Sequence, residues 1–172
     1  MSQRKMKKFL KTLAFVTGAC IGAVLPFSSV AAEESTPVLS LEAAQKIATA
    51  AWQQCRSDGY SVSVAVVDRH GNVVTQLRDP QAGPHTVGSS FGKAFTSASM
   101  GRPTAKLTEA IAKNPSLAGL RDMDSRMVIL PGGLPITVGD FRVGGIGVGG
   151  APGGHLDVVC AEAGINALGD KK

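Results

Sequence analysis

Residues 61–78 read SVSVAVVDRHGNVVTQLR, and they carry the clearest strand pattern in the chain. Its apolar residues first alternate with polar ones and then run without interruption to Val67, which is typical of a strand with a buried face. Residues 68–72 supply turn chemistry, because Gly71 and Asn72 tolerate positive φ angles. A second apolar run follows over 73–78. The stretch therefore predicts a β-hairpin.

Helical patterns lie on both sides of this hairpin. Ser40 is a suitable N-cap for a helix over about 41–56, and Gly59 is placed to end it. Further helices are predicted over about 86–100, 104–113 and 155–168. The apolar positions expected to face inward are Leu41, Ala44, Ala48, Ala51 and Cys55 in the first helix, Val87, Phe91, Ala94, Phe95 and Ala98 in the second, and Leu156, Val159, Cys160, Ala163 and Ala167 in the last.

Three more strands complete the pattern, over 127–130, 136–138 and 141–148, with a tight turn at 131–135 between the first two. Most strands are joined by hairpin-type connections. The sequence thus predicts an α/β (α+β) fold in a single domain, with a central antiparallel sheet and helices packed on its faces.

The net positive charge of the chain lies at its beginning. The 172 residues include 18 Lys and Arg against 13 Asp and Glu, and five of the basic residues lie before Leu13. An uncharged run over 12–25 and a small-residue exit ending at Ala32 follow, which is the order of a secretory signal peptide. We therefore expect a signal peptide over 1–32, an exposed lead-in over 33–39, a domain over 40–169 and a periplasmic or secreted location. An uncleaved membrane anchor and a lipoprotein site at Cys20 are the alternatives.

Removal of residues 1–32 leaves 13 basic and 13 acidic residues, so the mature chain is formally neutral. The basic composition therefore belongs to the targeting segment and gives no support to a nucleic-acid partner. We expect no membrane association after cleavage.

Export makes a disulfide chemically possible for the two remaining cysteines, Cys55 and Cys160. They lie on the apolar stripes of the first and last predicted helices, so a bridge forms only if those helices pack side by side. The alternative is two buried free thiols that behave as small hydrophobic side chains.

Known catalytic patterns find little support. Residues 145–150 satisfy G-x-G-x-x-G, but no second strand with an acidic residue follows, as a dinucleotide site requires. Ser89, Ser90 and Ser97 lie in a predicted helix without an evident acid–histidine partner, and the chain has no carboxylate pair suited to glycoside hydrolysis. The scarce histidines are better candidates, since His85 and His155 each precede or begin a predicted helix and imidazole binds metal and haem iron. Ordinary surface or capping roles are the alternative for both.

Lys93 lies in a predicted helix between Phe91 and Phe95. Its ammonium either reaches out to solvent along the helix or presents one cation to a partly buried pocket suited to a carboxylate.

Five segments in order resemble the GlcG/HbpS family, which includes the C-terminal domain of PduO-type proteins. They are 39–44 (LSLEAA), 64–72 (VAVVDRHGN), 92–98 (GKAFTSA), 132–136 (GGLPI) and 144–150 (GGIGVGG), with Asp157 and Ala161 in the helix behind. The resemblance covers about residues 39–168. It implies a single α/β domain with an antiparallel sheet, assembly into homo-oligomers, and haem binding in some members.

Three hypotheses follow. The first is an exported haem-binding protein with a shallow site. His85 and His155 are the candidate iron ligands, and Arg78, Lys93 and Arg102 the candidate partners of the propionates. The second is an enzyme or accessory protein for a small organic acid, with a pocket between Gly132, Gly133 and the Lys93 helix and with Asp68 or Asp157 as polar partner. The third is a structural homo-oligomer without catalysis.

Overall fold

The computed structural model describes residues 36–169. The expected signal peptide, Cys20 and the first residues of the lead-in therefore lie outside the described part of the chain. The end of the lead-in is not exposed as expected, because Leu39 is buried against the core.

Four α-helices, one 3-10 helix and four strands form the described domain. In chain order they are α1 (Leu41–Ser57), β1 (Ser63–Asp68), β2 (Val73–Arg78), α2 (His85–Met100), α3 (Thr104–Lys113), the 3-10 helix (Pro115–Asp122), β3 (Gly133–Val138), β4 (Phe141–Gly149) and α4 (Gly154–Asn166).

The strands form one antiparallel sheet with the order β2-β1-β4-β3. The predicted hairpin is confirmed, with Ser63 opposite Arg78 on β2. On its other side β1 pairs with β4, which places Ser63 opposite Gly149. The predicted fold class, a single mixed α/β domain around an antiparallel sheet, is confirmed.

Helices cover both faces of the sheet. Successive side chains of a strand point to opposite faces. Val64 and Val66 of β1 accordingly join the core cluster with α1 and α4, whereas Ala65 and Val67 pack against Ala94 and Ala98 of α2. The glycines of β4 allow α2 to approach closely, since a Cβ at Gly145 would lie 2.5 Å from the Ala94 carbonyl oxygen.

The predicted strand over 127–130 was wrong. This segment pairs with no strand of the sheet, because its backbone binds α2 instead. The Val128 amide donates to Thr96 Oγ1 at 2.9 Å, and Ile129 is buried beside Leu107 and Ile111 of α3. The strand expected over 136–138 begins earlier, at Gly133, which lies opposite Gly147.

Two helix faces also differ from the predicted ones. Leu41 is 49% exposed and Val159 is 47% exposed, although both were expected inside. In α4 the buried residues are Asp157, Cys160, Ala161 and Gly164. The buried face of α4 is thus shifted by one residue from the face predicted by the apolar pattern. The shift arises because α4 buries small residues and one carboxylate rather than its larger side chains.

Within residues 36–169, no helix combines the length and the apolar character needed to cross a membrane.

Candidate functional site

Three elements meet at one end of the sheet. Helix α2 begins there, because Ser63 Oγ at the start of β1 is 2.7 Å from Thr86 Oγ1 in the first turn of α2. Strand β4 ends there at Gly149, and residues 150–153 lead directly into α4. The side chains that begin α2 and α4 are therefore neighbours of the same glycine-rich loop.

A buried ion pair joins α2 to α4 at this point. Lys93 Nζ donates to Asp157 Oδ2 at 2.8 Å and to the Val148 carbonyl oxygen at 2.9 Å. The two side chains are 6% and 3% exposed. The other carboxylate oxygen, Asp157 Oδ1, accepts from the Ala151 amide at 3.1 Å. Both charged groups thus have specific partners, as burial of charge requires.

Gly132 makes room for this pair. It adopts a φ of +121°, and a Cβ there would lie 2.7 Å from the Val148 carbonyl oxygen and 2.8 Å from Asp157 Cβ. Its carbonyl oxygen also accepts from the Val148 amide at 2.9 Å. A larger residue would push apart the groups that hold Lys93 and Asp157.

Burial raises the pKa of the Asp157 carboxyl above its ordinary value, while the Lys93 ammonium and the Ala151 amide oppose this effect. The carboxylate is therefore kept in place at a desolvation cost that its two donors partly offset.

The pair forms the inner wall of a cavity of about 310 Å³. His85, the first residue of α2, lies at its mouth, and Ser89 lies one turn further along the helix. His155 lies beside it, since its ring packs where a Cβ of the lining residue Gly153 would be. Both imidazoles are exposed. The remaining lining residues are Leu130, Pro131, Gly150, Ala151, Pro152 and Gly154.

Gly133 begins β3 and lies against the Lys93 backbone of α2, and its amide donates to Thr104 Oγ1. The structure therefore brings together five of the candidate residues predicted from the sequence. The group comprises Lys93, Asp157, Gly132, Gly133 and His85, with His155 at the edge.

Three other selected residues lie elsewhere. Asp68 is the last residue of β1, at the end opposite Ser63, so Asp157 and not Asp68 is the polar partner in the expected pocket. The Asp68 carboxylate accepts from the His70 and Asn72 amides and from Asn72 Nδ2. Burial alone would raise the pKa of Asp68, but these hydrogen bonds outweigh it and lower the pKa.

The two arginines do not line the cavity either. Arg78 donates to the Ala82 carbonyl oxygen within the loop after β2. Arg102 follows Gly101, the residue that ends α2 in a left-handed conformation. Because a helix rises about 1.5 Å per residue, the 16 residues of α2 hold Arg102 roughly 24 Å from the His85 end. Arg102 therefore cannot bind a ligand carboxylate inside this cavity without a large rearrangement.

Cys55 and Cys160 lie on facing helices with their Cα atoms 5.4 Å apart and are joined as a disulfide. The bridge fixes α4 to α1 one turn after Asp157. It therefore fixes the same part of α4 that presents Asp157 to Lys93.

Comparison with known proteins places the chain in a family. The family model described as haem degrading protein HbpS-like matches residues 39–166. The chain belongs to the HbpS-like family. The resemblance to GlcG/HbpS proteins seen in the sequence is thereby confirmed.

Among solved structures, HbpS is 45% identical, with a TM-score of 0.73 over 78% of this chain and 92% of that one. A double mutant of Streptomyces reticuli HbpS shows the same identity and TM-score. The PduOC–haem complex is 25% identical, with a TM-score of 0.72 over 77% of this chain and 96% of that one.

Curated relatives are more distant. A 15.0 kDa protein of Citrobacter freundii is 32% identical over 65% of this chain and 80% of its own length. The corrinoid adenosyltransferase PduO of Salmonella typhimurium is 28% identical over 79% of this chain, but the match covers only 41% of PduO.

Sequence reasoning missed two features of the site in this HbpS-like chain. Ser89 lines the cavity, and the loop over 150–154 supplies much of its wall. The signal for the loop was present, since a run of glycine and proline directly after a strand leaves backbone open to a ligand. Ser89 carried no such signal, because its position in α2 is set only by where the helix begins.

Proposed function

We propose that this protein is an exported haem-binding protein, and that haem occupies the cavity between the first turns of α2 and α4. The observation that carries the proposal is that His85 lines the cavity and that His155 lies beside it, against the lining residue Gly153. Two relatives support the ligand class, since HbpS is 45% identical and a structure of PduOC contains haem.

The chemistry of the lining residues fits haem. Neutral imidazole is a common ligand of haem iron, and the chain places His85 in the cavity lining and His155 beside it. Leu130, which is 55% exposed, and the prolines 131 and 152 give the rim an apolar surface for the porphyrin. A cavity of about 310 Å³ lies at the small end of ligand sites, so we expect a shallow site that leaves part of the ring exposed.

Lys93 has a different role from the one the sequence first indicated. Asp157 already neutralises its ammonium, so Lys93 is not a free cation for a propionate. We propose that the pair acts as a positioning device, because it holds the first turn of α4, and hence His155, against α2. Bound haem would supply a redox-active iron, and the cavity residues of the chain would hold the haem.

Titration of the purified protein with hemin tests this proposal. We expect a saturable Soret band at micromolar protein, weakened in His85→Ala or His155→Ala and abolished in the double variant. His70→Ala is the matched control, because it removes an exposed imidazole at the other end of the domain. No saturable band, or equal loss in the control, would overturn the proposal.

The family description also includes haem degradation. Adding a reductant in air to the haem-loaded protein separates the two activities. A stable Soret band supports binding alone, whereas steady bleaching in excess of that of free hemin indicates turnover.

Export and assembly form part of the same proposal. A mature protein that begins at Glu33, measured by mass spectrometry of the exported fraction, would support the signal peptide. An intact N-terminus would contradict it. We also propose a homo-oligomer, and a monomeric mass by light scattering would count against it.

A further inference from the structure

A second hollow, of about 270 Å³, lies at the opposite end of α2 from the haem cavity. The β1–β2 turn forms one wall with Arg69, His70 and Gly71. Phe95 and Ser99 of α2 form the floor, and Asp124 and Arg126 form the other wall. Ser99 lies 14 residues after His85, so about 20 Å of helix separates the two sites.

The turn is held tightly over this floor. Gly71 has a φ of +82°, and a Cβ at that position would lie 2.5 Å from the Phe95 ring. The Asp68 carboxylate fixes the turn from within through the His70 and Asn72 amides, so it faces the turn backbone. The position of Arg69 is therefore set by a short, hydrogen-bonded turn rather than by a long loop.

Arg126 is preorganised on the facing wall. Its guanidinium lies 4.1 Å over the Phe95 ring. Asp124 accepts from its Nε at 2.9 Å and from its Nη2 at 2.7 Å. A guanidinium has five N–H donors, and these two bonds use two of them. Three donors remain for a ligand, on a group whose orientation is already fixed.

Arg69 offers a second guanidinium. Its Nε donates to His70 Nε2 at 3.2 Å, which leaves its four terminal N–H donors. Among residues 36–169, the ion pairs formed within 4.0 Å are Lys93–Asp157, Lys106–Glu109 and Arg126–Asp124, so Arg69 is not neutralised by a carboxylate there. With Asp124 offsetting Arg126, the two arginines and the carboxylate leave one net positive charge.

We propose that this hollow binds a small oxyanion, a phosphate or carboxylate group held between the guanidinium groups of Arg69 and Arg126. Planar guanidinium groups match such oxyanions through paired N–H donors. Phe95 supports Arg126 from below, and the Ser99 hydroxyl can donate a further hydrogen bond at the floor. The site is separate from the haem cavity and does not depend on haem binding.

Titration of the purified protein with inorganic phosphate at constant ionic strength, followed by amide NMR, tests the proposal. We expect saturable shifts at Gly71 and Arg126. Arg69→Gln and Arg126→Gln should each weaken phosphate binding by about fivefold, the largest effect expected of an exposed charge pair. Lys46→Gln, which removes an exposed charge from α1, should leave it unchanged.

Acetate in place of phosphate shows which oxyanion the hollow prefers, and tighter binding of either one supports the site. Arg69 lies on an exposed turn, so its variant should keep the urea midpoint of the parent. Linear shifts without saturation, or equal weakening by Lys46→Gln, would show only general charge attraction and would overturn the proposal.

Discussion

Lys93 Nζ and Asp157 Oδ2 lie 2.8 Å apart, although 64 residues separate them in the chain. The contact joins α2 on one face of the sheet to α4 on the other, around the end of β4. Its two side chains are almost completely buried, and the pair links the middle of α2 to the first turn of α4 beside the cavity.

Lys93→Met should destabilise the domain by about 3 kcal/mol, because it leaves the Asp157 carboxyl buried without its cation. The double variant Lys93→Met/Asp157→Leu removes both charges and should recover most of this loss, since apolar side chains can replace a buried pair at little cost. Urea unfolding measures both. A double variant less stable than the single one would show that the pair stabilises the fold outright.

The pH dependence of stability should change with the same variant. Because the pKa of Asp157 is raised above 3.8 in the folded protein, the unfolded chain loses this proton first as the pH rises. The contribution of Asp157 to the free energy of unfolding therefore falls as the pH rises through the window above 3.8. Lys93→Met removes a cation that lowers the pKa of Asp157, so the pKa of Asp157 should rise further. The decrease in the free energy of unfolding should then extend to higher pH.

Urea unfolding of the parent and of Lys93→Met between about pH 4 and about pH 8 checks this sign. Lys93→Met/Asp157→Leu is the control and should lack the contribution. Parallel pH profiles for the parent and Lys93→Met would contradict the expectation.

Gly132→Ala should cost about 3 kcal/mol, because the new Cβ both strains a left-handed backbone and meets Val148 and Asp157. Gly139→Ala is a matched control, since Gly139 also has a positive φ, of +56°, but its Cβ would meet nothing within 4 Å. It should cost only about 1 kcal/mol. Thermal unfolding of both variants distinguishes the two effects, and similar losses would argue against a steric role of Gly132.

Cys55→Ala/Cys160→Ala should lower the free energy of unfolding by about 4 kcal/mol, because the bridge closes a loop of 105 residues. Thiol titration of the unfolded, unreduced mature protein should find no free thiol. Two free thiols would show that the cysteines are unbridged buried side chains.

Much of the fold could be predicted from the sequence because its signals are local. The hairpin over 61–78 shows alternation, a turn and a return, and α1 has its cap at Ser40, whose Oγ accepts from the Ala43 amide at 3.2 Å. The segment over 127–130 has the same local composition as a strand. It pairs with none because Thr96 and Gly92 of α2 bind its backbone, which is a non-local effect.

The site was predictable in part for a related reason. A lone lysine among apolar residues and a glycine pair in a turn are visible in the sequence, and so is Asp157 in a helix. The sequence does not show that Lys93 meets Asp157 rather than Asp68, because this choice depends on strand order. From the sequence, Arg78, Arg102 and Lys93 were equally good candidates for binding the propionates, although the length of α2 separates Arg102 from the cavity.

A crystal structure of the haem-loaded protein tests the central claim most directly. We predict haem in the cavity between α2 and α4, with its iron bound by His85 or His155 and the Lys93–Asp157 pair intact. Haem bound elsewhere, such as in the hollow between the β1–β2 turn and Arg126, or iron held by neither imidazole, would contradict it.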